Sequence, residues 1–154
     1  MELSDLVGPQ GIVLGMKAAS KKQALAGLAQ RASELTGVPE RQILDVLLER
    51  ERLGTTGVGR GIAIPHGKVE SLERIFGLLA RLETPVPFDA IDDEPVDILF
   101  LLLAPESAGA DHLKALARVS RLLRDRAFCE RLRQSEDPGA IYAAMTQRET
   151  SHAA

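Results

Sequence analysis

The chain has 154 residues, a formal net charge of -3 and 45% hydrophobic residues, which is the size and balance of one globular domain with a buried core. The small net charge and the 3% aromatic content argue against a nucleic-acid-binding protein, because they indicate neither a basic surface nor a base-stacking platform. The single cysteine, Cys129, excludes an internal disulfide and a multi-cysteine metal site.

The sequence predicts neither a membrane span nor an export signal. The longest strongly apolar run, residues 98–104, is far shorter than the ~20 residues that a spanning helix needs. The N-terminus contains acidic residues and no apolar stretch of signal length. We therefore expect a cytoplasmic protein without membrane insertion, folded as one domain over residues 1–154.

The first third of the chain predicts a short strand and then two helices. Residues 12–14 fit the strand, Ser20 opens a capping box, and Gly37 fits the end of the first helix. Pro39 suits the first position of the second helix, which Gly54 ends. The apolar stripe of the second helix is Ile43, Val46 and Leu47.

Two apolar segments predict the centre of a β-sheet. Residues 75–82 and 96–104 are apolar on both faces, which is typical of strands covered by helices on each side. An acidic, proline-containing loop over residues 83–95 connects them and leaves room for one short edge segment. Because two helices follow the first strand directly, we predict a single α/β domain with a mixed sheet flanked by α-helices, and not a Rossmann fold.

The last third predicts three helices and a polar tail. The first begins near Asp111, while Asp125 and Asp137 cap two shorter ones, the second with Pro138 at its first position. The tail is expected to fray from about residue 148. The predicted apolar face of the first of these helices comprises Leu113, Leu116, Ser120 and Leu123.

In the stretch LGTTGVGRGIAIPHGK, residues 53–68, a glycine-rich turn leads into one predicted strand over residues 61–65, and a histidine and a glycine follow its proline. His66 is either a loop histidine, solvated or bonded to a carbonyl, or a nucleophile. Pro65 and Gly67 favour the second interpretation, because they hold the ring at a strand end where a partner reaches it. At cytoplasmic pH one ring nitrogen of an ordinary imidazole carries a free lone pair.

The glycines before His66 do not form a known nucleotide motif, because their spacing and flanking elements fit neither a dinucleotide fingerprint nor a Walker sequence. Two interpretations stay open. The segment is a turn required only for backbone geometry, or its amides cradle an anion. The candidate anion-binding residues are Thr55, Thr56, Gly57 and Gly59.

Three further features are candidates for chemistry. Arg50, at the end of the second helix, is either solvated or turned toward His66. Asp111 suits a helix cap, and His112 beside it lies where a helix start attracts an anion.

No paired metal motif is formed by His66, His112, Asp111 and Cys129, so we expect no metal and no cofactor. Six arginines between residues 118 and 133 form either a solvated face or a docking surface for an acidic partner.

Residues 51–67 resemble the active-site signature of the enzyme IIA components of the bacterial phosphotransferase system, mannitol/fructose class. The signature runs from Glu51 through Val58 and Gly59 to the Pro-His-Gly run that contains His66. Residues 17–37 and 110–125 are similar to the first and late helices of the nitrogen-regulatory enzyme IIA, and the resemblance extends from about residue 3 to 145.

This resemblance implies a phosphohistidine carrier. His66 would accept a phosphoryl group on Nε2 from a small histidine phosphocarrier protein, and Arg50 and His112 match the residues that stabilise that group. The nitrogen branch implies regulatory targets such as potassium-transport or sensor-kinase proteins, and a regulatory role rather than that of a self-standing metabolic enzyme. The alternative is a sugar-specific IIA component that passes the phosphoryl group to a separate IIB domain. A scaffold with a lost active site is disfavoured, because all three residues are present.

Overall fold

In the computed structural model of the chain, which describes the backbone of residues 1–153 and the side chains of residues 1–147, a mixed sheet lies between helices on both faces. The strand order is β1-β5-β6-β3-β2, with β4 also paired to β6. A short 3₁₀ helix, Pro9–Gly11, precedes β1. The strands are β1 Ile12–Met16, β2 Gly57–Gly59, β3 Ile62–Ala63, β4 His66–Lys68, β5 Phe76–Val86 and β6 Val96–Ala104. The helices are α1 Leu3–Leu6, α2 Lys21–Thr36, α3 Glu40–Arg52, α4 Ala110–Leu123, α5 Arg126–Gln134 and α6 Pro138–Ala153.

The antiparallel pair β5 and β6 forms the centre of the sheet, as the two apolar segments predict. Leu78 of β5 faces Leu101 of β6 in the register, and both are fully buried. Along β6 the side chains alternate between two cores, so that Leu101 packs on one face and Phe100 on the other. Arg81 of β5 is a buried charged residue among these apolar ones. Its guanidinium donates to the Leu132 carbonyl at 2.8 Å.

Two helical layers cover the sheet. Helices α2 and α3 pack on one face, while α1, α4, α5 and α6 pack on the other. Two predicted caps are present: Ser20 Oγ accepts from the Gln23 amide at 3.1 Å, and Asp125 Oδ1 accepts from the Phe128 amide at 3.2 Å. Asp111 does not cap α4, because it lies inside the first turn and the N-cap is Gly109. Gly37 ends α2 with a left-handed φ of 80°. Together these features confirm the α/β architecture with a mixed sheet.

The segment before His66 differs from the prediction of a turn followed by one strand. Residues Gly57–Gly59 form a strand, β2, which pairs with β3 in an antiparallel hairpin. The turn is confined to Arg60 and Gly61, whose φ values of 58° and 78° suit a two-residue hairpin. A further short strand, β4, then begins at His66. Strands of two or three residues are too short for a periodic pattern to predict them.

The predicted apolar face of α4 is only partly right, since Leu123 is buried and Leu116 packs against the core, but the centre of the buried face lies one residue earlier. Leu113 is 70% exposed, and the side chains that pack on the sheet start with Ala115. A shift of one residue turns a helix by about 100°, and stripes of similar hydropathy lie side by side in this sequence. The buried residues of α4 are Ala115, Val119, Leu122 and Leu123. Pro39 likewise lies at the N-cap of α3, one residue before its predicted place.

The C-terminal helix α6 extends to Ala153. The predicted fraying from about residue 148 concerns side chains outside the described part of the chain, and it stays a prediction. Across the described residues, no helix combines the length and the hydropathy that crossing a membrane requires.

Replacing Leu101 by Asp is expected to abolish cooperative folding. The side chain is fully buried at the centre of β6, and an unpaired buried carboxylate costs about 3–5 kcal/mol or more, comparable to the stability of an entire domain. Thermal unfolding followed by circular dichroism measures the effect. The control is Leu113→Asp, at an exposed position in the first turn of α4. Its free energy of unfolding is expected to lie within about 0.5 kcal/mol of that of the parent. A Leu101→Asp variant that melts like the parent would contradict the central position of β6.

Candidate functional site

His66 lies at the junction between two strands that both run parallel to β6. After β3, Pro65 breaks the strand, and β4 begins at His66, which faces Leu102 in the register. Gly67 allows α3 to lie close against β4, because a Cβ atom there would overlap Cγ1 of Val46. The imidazole is therefore carried by a fixed backbone at the edge of the α3 packing surface.

A backbone hydrogen bond fixes the tautomer of His66. Its Nδ1 lies 2.7 Å from the carbonyl oxygen of Ile64, and a carbonyl only accepts, so Nδ1 carries the proton. In the neutral ring the lone pair then resides on Nε2. Burial lowers the pKa of His66, the bond to Ile64 opposes that shift, and the charge of Arg50 adds to it. At neutral pH the ring is consequently uncharged and nucleophilic at Nε2.

His112, in the first turn of α4, lies beside this ring. The two ring centroids are 5.7 Å apart and the planes meet at 71°, an edge-to-face arrangement. Nε2 of His112 is buried and has no hydrogen-bond partner among the described residues. Burial lowers the pKa of His112, and the charges of His66 and Lys68 lower it further. The site thus contains a second uncharged imidazole with one enclosed, unsatisfied nitrogen.

Arg50, in the last turn of α3, supplies the positive charge that acts on His66. Its Nη1 donates to the carbonyl of Gly54 at 2.8 Å, which holds the guanidinium against the turn that follows α3. That charge is close enough to His66 to lower the pKa of the imidazole, after the larger effect of burial. The structure therefore brings together His66, His112 and Arg50, the three residues that the sequence singles out.

Of the four candidate anion-binding residues, Thr55 and Thr56 lead into β2, and Gly57 and Gly59 are the two ends of that strand. The Thr56 amide donates to Oε1 of Glu51 at 3.0 Å, and its hydroxyl binds the other oxygen of that carboxylate. The Gly57 amide donates to Thr55 Oγ1 at 3.0 Å, and both Gly57 and Gly59 are buried. The amides of Thr56 and Gly57 are thus already satisfied within the protein, and a phosphate contact from this segment stays a prediction.

One participant was not identified from the sequence. Lys21, the first residue of α2, forms an ion pair with Glu51 at 2.9 Å. The only signal for it is a lysine after a helix cap, which is too common to single out a partner in another helix. Within the residues whose side chains are described, no group of three or more His, Cys, Asp or Glu residues is placed to hold a metal ion.

Comparison with known proteins identifies the family to which this site belongs. Residues 6–148 match the family model described as "Phosphoenolpyruvate-dependent sugar phosphotransferase system, EIIA 2". A protein named nitrogen regulatory protein from Bradyrhizobium diazoefficiens is 59% identical over 145 residues, covering 94% of this chain and 95% of its own length. A protein of Haloferax volcanii named as the fructose-specific EIIA component is 35% identical, over 95% of this chain and 96% of its own.

The fold agrees with these sequence relationships. The crystal structure of nitrogen regulatory protein IIA-Ntr from Neisseria meningitidis superposes with a TM-score of 0.87 and 30% identity, over 94% of this chain and 99% of that one. The match spans the sheet and both helical layers. This chain belongs to the EIIA type-2 family of the phosphoenolpyruvate-dependent sugar phosphotransferase system.

Proposed function

We propose that this phosphotransferase-system protein accepts a phosphoryl group on Nε2 of His66 from a small histidine phosphocarrier protein, and that its phosphorylation state regulates partner proteins. The observation that carries the proposal is the bond of 2.7 Å between Nδ1 of His66 and the Ile64 carbonyl, because it directs the free lone pair to Nε2. The lowered pKa of His66, caused first by burial, keeps that lone pair available at neutral pH.

The transfer step follows from this geometry. The Nε2 lone pair of His66 attacks the phosphorus of the donor phosphohistidine, a new P–N bond forms, and the P–N bond of the donor breaks. The electron pair of the broken bond returns to the imidazole nitrogen of the donor. The product ring of His66 is positively charged and retains its Nδ1 proton, which the Ile64 carbonyl continues to accept. Such a transfer requires alignment and charge stabilisation more than covalent chemistry by other residues.

Arg50 and His112 supply that stabilisation. One positive and one negative charge about 4 Å apart attract by about 4 kcal/mol at an effective dielectric of 20, so the Arg50 guanidinium favours the bound phosphoryl group. The buried Nε2 of His112 has no partner among the described residues, and a hydrogen bond donated by its N–H to a phosphoryl oxygen would satisfy it. The remaining candidates for phosphoryl contact are the amides of Thr55, Thr56, Gly57 and Gly59. The amides of Thr56 and Gly57 would have to give up their present hydrogen bonds to bind a phosphoryl oxygen.

The regulatory role is supported by the relatives named nitrogen regulatory protein, and the phosphoryl group adds about -2 charge to the surface that partners would bind. Targets of the potassium-transport or sensor-kinase class and a cytoplasmic location are part of this proposal. The alternative is a sugar-specific role, in which the phosphoryl group passes to a IIB domain. The relative named as a fructose-specific EIIA component supports that alternative.

His66→Ala is expected to abolish phosphorylation, because no other nitrogen in the site has the same exposed lone pair and fixed tautomer. The measurement is incorporation of acid-labile phosphate from the phosphorylated histidine phosphocarrier, followed by intact mass. Unfolding curves check that the variant remains folded. Labelling of His66→Ala at the parent rate would refute the assignment.

The labelled parent protein also distinguishes the regulatory role from the sugar-specific role. Rapid loss of the label to a IIB domain favours the sugar-specific role.

Arg50→Ala and His112→Ala are each expected to slow single-turnover phosphorylation about 100-fold, with thermal stability nearly unchanged, because each removes one stabilising donor from the transition state. Arg52→Ala is the matched control for Arg50, since it removes an exposed arginine from the same last turn of α3. Parent rates for both site variants would show that these side chains do not stabilise the transferred group.

The free energy of unfolding is expected to fall as pH drops below about 7. Unfolded histidines bind a proton near pH 6.5, whereas burial lowers the pKa of both His66 and His112 in the folded state. Between these values the unfolded state holds more protons, so acidification favours unfolding. Urea titrations from pH 8 to pH 5 measure the slope, and the double variant His66→Gln/His112→Gln is expected to reduce it. An equal slope in parent and double variant would disprove the lowered pKa values.

A further inference from the structure

A buried carboxylate lies directly beside Arg50 in the sequence. The Glu51 side chain is only 6% exposed, and both of its carboxylate oxygens have partners within the protein. One oxygen accepts from Lys21 Nζ at 2.9 Å and from the Thr56 amide at 3.0 Å, and the other binds the Thr56 hydroxyl. A carboxylate with three partners and little water around it is held in one orientation.

The partners of Glu51 come from separate parts of the fold. Lys21 opens α2, Glu51 belongs to the last turn of α3, and Thr56 lies just before β2. The Lys21 ammonium is itself fixed, because it also lies 4.7 Å from the ring centroid of Phe88, which precedes β6. The Glu51 carboxylate therefore fastens the end of α3 to the neighbouring helix and to the start of the hairpin.

These contacts close the turn that holds Arg50. The turn contains Gly54, which has a φ of 148° and no side chain to pack, and whose amide donates to the Glu51 carbonyl at 3.2 Å. The Gly54 carbonyl is the acceptor for Arg50 Nη1, at 2.8 Å. Glu51 and Thr56 bind each other across this turn, so their bond fixes where the Gly54 carbonyl points.

We propose that Glu51 is a positioning residue, whose contacts with Thr56 and Lys21 fix the turn that holds the Arg50 guanidinium beside His66. This inference rests on the proposed function for its effect on phosphoryl transfer. Lys21 has a second consequence, because its charge compensates the Glu51 carboxylate next to a site that receives an anion. Both Arg50 and Glu51 lie close enough to His66 for their charges to act on its imidazole, on which burial has the larger effect.

The central experiment is a double-mutant cycle on the single-turnover rate of phosphorylation. Glu51→Gln keeps the size of the side chain and removes its charge, and it is expected to lower the rate about 10- to 100-fold, as a misplaced stabilising group does. Glu49→Gln, the same change at an exposed position of α3, is the control and is expected to react at the parent rate. In the Arg50→Ala background Glu51→Gln is expected to add almost no further loss.

Two outcomes would overturn the inference. One is a parent rate for Glu51→Gln. The other is an equal loss from Glu51→Gln with and without Arg50, because Glu51 would then not act through the guanidinium. If Glu51→Gln fails to fold, Thr56→Val takes its place in the same cycle, since it removes only the hydroxyl contact and keeps the ion pair.

A second measurement needs no phosphoryl donor. The Nε–H resonance of Arg50 in nuclear magnetic resonance spectra is expected to shift and broaden in Glu51→Gln and to stay unchanged in Glu49→Gln. An unchanged Arg50 resonance in Glu51→Gln would overturn the positioning role even if the transfer rate fell. Conversely, a parent protein that is never phosphorylated would refute the proposed function, while the Arg50 resonance would still decide the positioning role.

Discussion

The hydrogen bond from Nδ1 of His66 to the Ile64 carbonyl decides the chemistry available to this site. That carbonyl is available to the ring because the chain changes course between two short strands, β3 and β4. On either side of it the backbone groups are engaged in the sheet: the Ile64 amide donates to Thr56, and the Pro65 carbonyl accepts from Leu102. Pro65 itself has no N–H to offer. Because the strand is interrupted here, the Ile64 carbonyl binds the His66 ring instead of a neighbouring strand, and it thereby sets the tautomer of His66.

Half-burial of the site reconciles two opposing requirements. Solvent exclusion lowers the pKa values of both histidines and so favours uncharged rings, whereas the proposed transfer also requires that a protein donor reach Nε2 of His66. In the proposed transfer, the positive charge that attracts the phosphoryl group comes from a separate side chain, the Arg50 guanidinium. In that proposal, an uncharged His66 acts as the nucleophile while the attraction for the phosphoryl group comes from Arg50.

The sequence predicts most of this fold and singles out three residues that the structure brings together, for different reasons. Long apolar segments predict β5 and β6, and helix caps such as Ser20 predict helix boundaries, because these signals are local. Part of the face of α4 and the strand Gly57–Gly59 were missed, since tertiary packing selects among similar stripes and gives very short strands their partners. His66 was singled out by the Pro-His-Gly run, and Arg50 and His112 by their places at helix ends together with the family resemblance; their roles stay predictions. The internal partners of Thr56 and the pairing of Lys21 depend on contacts distant in sequence, which no local pattern specifies.

The Lys21–Glu51 pair is difficult to explain as a source of stability alone. Removing two charges from water costs free energy that their attraction repays only with good geometry, and apolar residues of similar volume are often as stabilising. An apolar pair would pack α2 against α3 equally well but would leave the Thr56 amide and hydroxyl without their acceptor. A charged pair instead fixes the direction of a turn and adds no net charge beside the proposed phosphoryl site. Specifying the position of Arg50, rather than strengthening the core, therefore accounts best for a carboxylate at this place.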